Sequence, residues 1–178
     1  MTGRSSSPAG MVIDVISRSA SWQRVLPRAA RIAKDAAEAA LTFGRGRIQG
    51  GRSRAPIEIS VVLTGNGEMR RLNRRYRGKD KATNVLSFCG EPPLLGDVVI
   101  AFGVAAAEAR TEGKTLAAHL SHLVSHGVLH LLGYDHQIER DAEKMEKVET
   151  AIMARLGFPD PYAPAPAPVP KRRRKRNP

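Results

Sequence analysis

Cysteine is almost absent: Cys89 is the single one in 178 residues. No intramolecular disulfide can form, which excludes the disulfide-stapled secreted class and favours a reducing compartment. Aromatic residues are also scarce, at 4%, so recognition of nucleic acid by stacking is a weak option. Long apolar runs are missing. The longest nearly uncharged apolar stretch, 98–107, falls far short of the roughly 20 residues a membrane-spanning helix needs. Near the N-terminus Asp14 and Arg18 flank the short 12–16 apolar run, so no secretory signal is expected. A cytoplasmic protein without membrane contact follows as the expectation. Acidic residues are the minority, 17 against 29 Lys and Arg, which leaves a formal charge of +12. Half of that charge lies in 171–176. The remaining body is still basic, which a small-molecule pocket alone does not explain.

What is present reads as one domain with tails. Residues 1–10 and 161–178 are poor in large apolar side chains, and the alternating Pro/Ala stretch from Ala163 to Pro170 cannot sustain regular hydrogen bonding. Both ends are expected to be disordered, leaving 11–160 as the folded part. The tail charges at 171–176 would then act as a tethered cationic arm that adds affinity for a polyanion such as a nucleic acid without choosing a site. Residues 11–17 and 57–63 are β-branched and read as strands, with an Ala-rich helix over 22–43 between them. This is a β-α-β unit, which places its strands parallel. A short helix at 68–76 and strands at 85–88 and 97–101 follow. Beyond Phe102 the chain reads as helical, with clear segments at 115–132, stopped by Gly133, and 137–156, stopped by Gly157. The expected class is α+β: a small, mixed, mostly parallel four-stranded sheet with helices packed on it.

All five histidines fall between 119 and 136. His126 and His130 lie four apart on a helix and project from one face. Gly133 ends that helix and can return the chain so that His136 joins them. Three imidazoles with an open fourth position suit a catalytic zinc, one per chain. His119 and His122 share the same face and read as a hydrogen-bonded polar stripe. A rival set of His122, His126 and His130 would stretch about 12 Å along the helix at 1.5 Å per residue. The same spacing occurs in metzincin proteases, but their base, a Glu directly after the first His, is replaced here by Gly127.

Seven positive charges crowd into 70–81, opposed only by Asp80. Arg70, Arg71 and Arg74 fit a solvated helix face, with Met69, Leu72 and Tyr76 turned inward. Arg77, beside Gly78, is expected past the helix end, where a loop can present its planar fork to phosphate.

Two blocks carry a resemblance. The run His126-Gly-Val-Leu-His-Leu-Leu-Gly-Tyr-Asp-His136 and the run Leu72-Asn-Arg-Arg-Tyr-Arg-Gly-Lys-Asp-Lys-Ala-Thr-Asn-Val-Leu-Ser-Phe88, followed by Leu95-Gly-Asp-Val-Val-Ile100, resemble the hallmarks of the YbeY family of bacterial rRNA-maturation endoribonucleases. The resemblance spans roughly 11–160. It departs at Cys89, where the family usually has Pro, in the short connection 89–96, and in the tail. It implies an α+β fold and zinc on His126, His130 and His136 at a helix end and the following loop. It also implies Arg77 as the essential basic residue and cleavage of single-stranded RNA in 16S rRNA 3′-end maturation and ribosome quality control. The small ribosomal subunit and its assembly factors would be partners. Lys79, Lys81 and Asn84 are candidate substrate contacts.

The parts make a mechanism. Zinc lowers the pKa of water toward about 7, which fits the missing Glu at 127, and Arg77 would stabilise charge developing on phosphate. Asp135 and Asp97 are candidates to orient an imidazole, although Asp97 reads equally well as a strand-edge residue. Cys89 reads as a small buried hydrophobe rather than a fourth ligand. A metalloprotease and a non-catalytic zinc-containing assembly factor stay open as alternatives.

Overall fold

A computed structural model of the chain describes residues 10–44, 57–135 and 139–164. The elements run β1 (Met11–Ser17), α1 (Ala20–Val25), α2 (Ala29–Gly44), β2 (Ile57–Thr64), α3 (Asn66–Arg77), β3 (Val85–Cys89), β4 (Leu94–Ala101), α4 (Phe102–Thr111), α5 (Leu116–Leu131) and α6 (Glu139–Arg155). The sheet order is β1-β2-β4-β3. β1, β2 and β4 are parallel, and β3 pairs antiparallel with β4 at the edge. The mixed, mostly parallel sheet is thus as the sequence implies.

The single helix expected over 22–43 is two. Pro27 has no N–H to give and its ring disfavours a helical residue before it. Leu26 accordingly leaves helical geometry at φ −136° and ψ 79°. The short α1 still has a task, because Trp22 is fully buried and its Nε1 donates to Thr64 O at 3.0 Å. α2 then lays Ala33, Ala36, Ala37 and Ala40, all fully buried, against its neighbours. Side chains this small let the helix backbones approach closely.

Strand alternation divides the interior in two. Ile59, Val61, Leu63, Val98 and Ile100 face the main core, shared with α2, α5 and α6. Val62, Leu86 and Val99 face the other way, toward Met69 and Leu72 of α3. Helix α5 and helix α3 therefore sit on opposite faces of the sheet. The chain reaches one from the other through β3, whose Ser87 Oγ donates to Gly127 O on α5 at 3.1 Å.

Three further boundaries differ from expectation. Helix α3 runs on to Arg77 before Gly78 caps it at φ 67°, so Arg77 is the last helical residue and not a loop residue. Pro161 and Tyr162 belong to the folded body: Lys114 Nζ donates to Pro161 O at 2.7 Å, and the Tyr162 hydroxyl donates to Glu149. Cys89 is exposed rather than buried, because it ends an edge strand. Residues 1–9 and the basic run 171–176 lie outside the described residues, as does His136. Among the described residues no helix is long and apolar enough to cross a membrane.

Candidate active site

Helix α5 is enclosed by the sheet, α2, α4 and α6. From Ala118 to Leu132 only His122, His126 and His130 escape full burial. Positions i, i+4 and i+8 make one stripe, so the helix shows the outside a row of imidazoles. Thr115 starts the helix with its Oγ1 accepting from Ala118 N at 3.1 Å. Gly133 ends it at φ 82°, and Tyr134 N donates back to Leu129 O at 3.0 Å. That reversal carries Tyr134 O to His130, whose Nδ1 donates to it at 3.0 Å.

The other end of the pair is held by α6. Glu149 is fully buried, and His126 Nδ1 donates to its Oε1 at 2.7 Å. Burial pushes this carboxyl up, but hydrogen bonds from His122, His126 and Tyr162 outweigh it and hold the group at about 2. At neutral pH Glu149 is therefore an acceptor only, as is the Tyr134 carbonyl, so both Nδ1 atoms must carry the hydrogen. In neutral rings each Nε2 then carries a lone pair and no hydrogen. The two atoms face each other at 3.0 Å. Two lone pairs cannot bond each other, and a shared positive charge, a proton or a metal ion, satisfies them. The separation is near the roughly 3.3 Å edge of a tetrahedral zinc site with N ligands at about 2.05 Å. The chemistry and spacing of the pair thus fit zinc. Among the described residues no three ligating side chains converge.

His122 takes no part in this pair. Its ring centroid is 6.3 Å from that of His126, against 4.5 Å between His126 and His130, and its Nε2 turns to Glu149 Oε2 at 3.4 Å. This removes the His122/His126/His130 set. Gly127 is a contact point with the sheet: a Cβ there would lie 2.6 Å from Val98 Cγ1 and 3.0 Å from Ser87 Oγ. A glutamate base after the first histidine has no room, so the metzincin alternative fails for a steric reason.

A family model described as Endoribonuclease YbeY matches residues 26–157. The chain belongs to the YbeY endoribonuclease family. Relatives named Endoribonuclease YbeY include that of Paramagnetospirillum magneticum, 53% identical over 117 residues covering 60% of this chain and 71% of the relative. That of Azorhizobium caulinodans is 46% identical over 160 residues, covering 86% of this chain and 97% of the relative. The solution structure of a Thermotoga maritima protein aligns with a TM-score of 0.56 at 22% identity, covering 85% of this chain and 99% of that one. That last likeness speaks for the fold alone.

The remaining residues of the YbeY-like blocks scatter. Arg77 is exposed at the end of α3 with no hydrogen bond or ion pair among the described residues, and Lys79 and Lys81 are exposed in the loop after it. Asn84 is turned inward. Its Nδ2 donates to Glu108 at 3.0 and 3.2 Å, and its Oδ1 accepts from Val85 N at 2.7 Å, which uses its polar atoms on the protein itself. Glu108 also meets His119 Nε2 at 2.8 Å, so His119 is a buried, hydrogen-bonded histidine. Asp97 shares the α3 side of β4 with Val99, in a cleft of about 500 Å³ lined by Arg18, Glu68, Tyr76 and Phe88. It faces away from α5, and the Nδ1 atoms of His126 and His130 go to Glu149 and Tyr134 instead. Asp135 is exposed at the border of the described residues.

Glu149 was not singled out from the sequence. A signal existed: it falls between Met145, Val148 and Ile152 on the apolar stripe of α6, where an unpaired carboxylate would be intolerable.

Proposed function

We propose that the protein is a zinc-dependent endoribonuclease that cuts single-stranded RNA, acting in 16S rRNA 3′-end maturation and ribosome quality control. The observation that carries the reading is the 3.0 Å approach of His126 Nε2 to His130 Nε2 while acceptors occupy both Nδ1 atoms. Membership in the YbeY family supplies the reaction class. His126 and His130 would hold zinc, with His136 as the third ligand from the loop after Gly133. When bound, zinc supplies a water acidified toward about neutral pKa.

The chain's own residues do the rest. Glu149 and Tyr134 O fix the ring orientations. Arg77 offers two parallel donors to phosphate and stays charged. The exposed Arg74, Arg75, Lys79 and Lys81 around it attract the RNA backbone without reading sequence. β3 links this basic end of α3 to the histidine helix through Ser87 and Gly127. The test is cleavage of a single-stranded RNA by wild type, His126→Ala and Arg77→Ala, with zinc measured in each preparation. Loss of cleavage in both variants, with zinc lost only in the first, is expected. Equal residual cleavage in all three would assign the activity to a contaminant and leave a non-catalytic zinc protein.

A further inference from the structure

The segment after α6 contributes a group to the site that the proposed function does not use. We propose that Tyr162 is a positioning residue for His126, acting through Glu149, so that the segment 157–164 is part of the active site. This rests on the reading of His126 and His130 as metal ligands.

The two oxygens of a carboxylate are chemically equivalent, and only their partners decide which one faces which donor. At Glu149, Oε1 accepts from His126 Nδ1 at 2.7 Å, while Oε2 accepts from the Tyr162 hydroxyl and, at a longer 3.4 Å, from His122 Nε2. The carboxylate has no exposed surface, so protein donors, not bulk water, satisfy it in this structure. Removing the hydroxyl leaves Oε2 with the long His122 contact alone. His122 and His126 then compete for one carboxylate. His126 loses its assured partner at Nδ1, and with it the single tautomer that bares Nε2 toward His130.

The segment is built to deliver that hydroxyl. Phe158 N donates to Met153 O at 2.9 Å, turning the chain back at the end of α6. Asp160 Oδ1 accepts from Tyr162 N at 3.0 Å and from Thr150 Oγ1 at 3.2 Å, which fixes the turn to the helix. Lys114 Nζ holds Pro161 O at 2.7 Å from the start of α5. The Tyr162 ring stands edge-on to His122, centroids 5.6 Å apart at 81°. With 46% of the residue exposed, its apolar burial is modest. The hydroxyl is what the site gains from it.

Tyr162→Phe keeps the ring and removes only that oxygen. The first measurement is the ¹⁵N ring signature of His126 in the metal-free full-length protein. Wild type is expected to show one tautomer with hydrogen on Nδ1, and the variant a mixture. The second is zinc affinity by competition with a chromophoric chelator, expected to fall about 10-fold, the low end of the effect of losing a partner behind a ligand. Melting in chelator verifies that the variant is folded. An unchanged His126 signature in the folded variant overturns the proposal, whatever happens to stability. Absence of zinc from the wild-type protein would overturn the metal reading instead, and the ring signature, measured without metal, would still decide the role of Tyr162.

Discussion

Glu149 and His126 are 23 residues apart in the chain and 2.7 Å apart in the fold, joined by one hydrogen bond from helix α5 to helix α6. A buried carboxylate thereby ties the element that carries the histidines to the element that closes the domain. Replacing it should disturb both the site and the fold. Glu149→Ala strips His126, His122 and Tyr162 of a common acceptor, and a destabilisation of about 1–3 kcal/mol is expected in urea unfolding. Zinc affinity should fall roughly 10- to 100-fold. A variant with wild-type zinc affinity would show that the carboxylate does not serve the histidines.

The histidines should separate by role. Zinc content is expected to vanish in His126→Ala, His130→Ala and His136→Ala and to persist in His119→Ala. The last variant pays elsewhere, since His119 is buried against Glu108, which also holds Asn84. About 1–3 kcal/mol of stability should go with it. Full zinc in the His136 variant by elemental analysis would remove that residue from the ligand set.

Gly127 is required for packing and not for flexibility. Gly127→Ala places a methyl group 2.6 Å from Val98 and 3.0 Å from Ser87, in the interface between α5 and β4. A loss of about 1–3 kcal/mol is expected from the forced separation. Gly127→Glu, which completes a protease-like motif on paper, should unfold the domain without conferring proteolysis. A folded, proteolytic variant would reverse the steric argument.

Arg77→Ala should reduce RNA cleavage by about a hundredfold or more. Because Arg77 is exposed and makes no described contact, stability should change by no more than about 0.5 kcal/mol, and zinc should be retained. Turnover near wild type on single-stranded RNA would return Arg77 to ordinary surface charge.

Acid stability has a contributor on the far face of the sheet. The Thr64 hydroxyl, working against burial, and the Arg18 guanidinium hold the Glu68 carboxyl below its ordinary value of 4.5. A group depressed in the folded state stabilises it above the unfolded pKa and ceases to do so as pH falls through the folded one. Glu68→Gln should therefore lessen the drop in stability between about pH 6 and about pH 3, with little change in that slope at higher pH. Identical acid limbs in the two proteins would show that Glu68 is not linked to folding.

Local and periodic features were written in the sequence. The β-branched strands, the parallel pairing of β1 with β2 and the glycine stop after His130 all follow from steric preferences acting over a few residues, as does the four-residue spacing of His126 and His130. Even the failed reading of 22–43 as one helix had its cause in view, because Pro27 cannot donate to the preceding turn. What only the tertiary structure decided is which group stands behind each imidazole. Asp97 was a plausible partner by type, but strand alternation turns it to the α3 side. Glu149 and Tyr162 arrive from a helix and a turn far along the chain, and their partner is chosen by the packing of α6 on α5. Asn84 is similarly turned inward to Glu108 by the packing of α4. A carboxylate or amide carries no sequence mark of its partner, since hydrogen bonds between distant residues depend on how helices and strands pack and not on spacing. The sequence determined the elements and the imidazole pair; packing determined the hydrogen-bond partners that orient that pair.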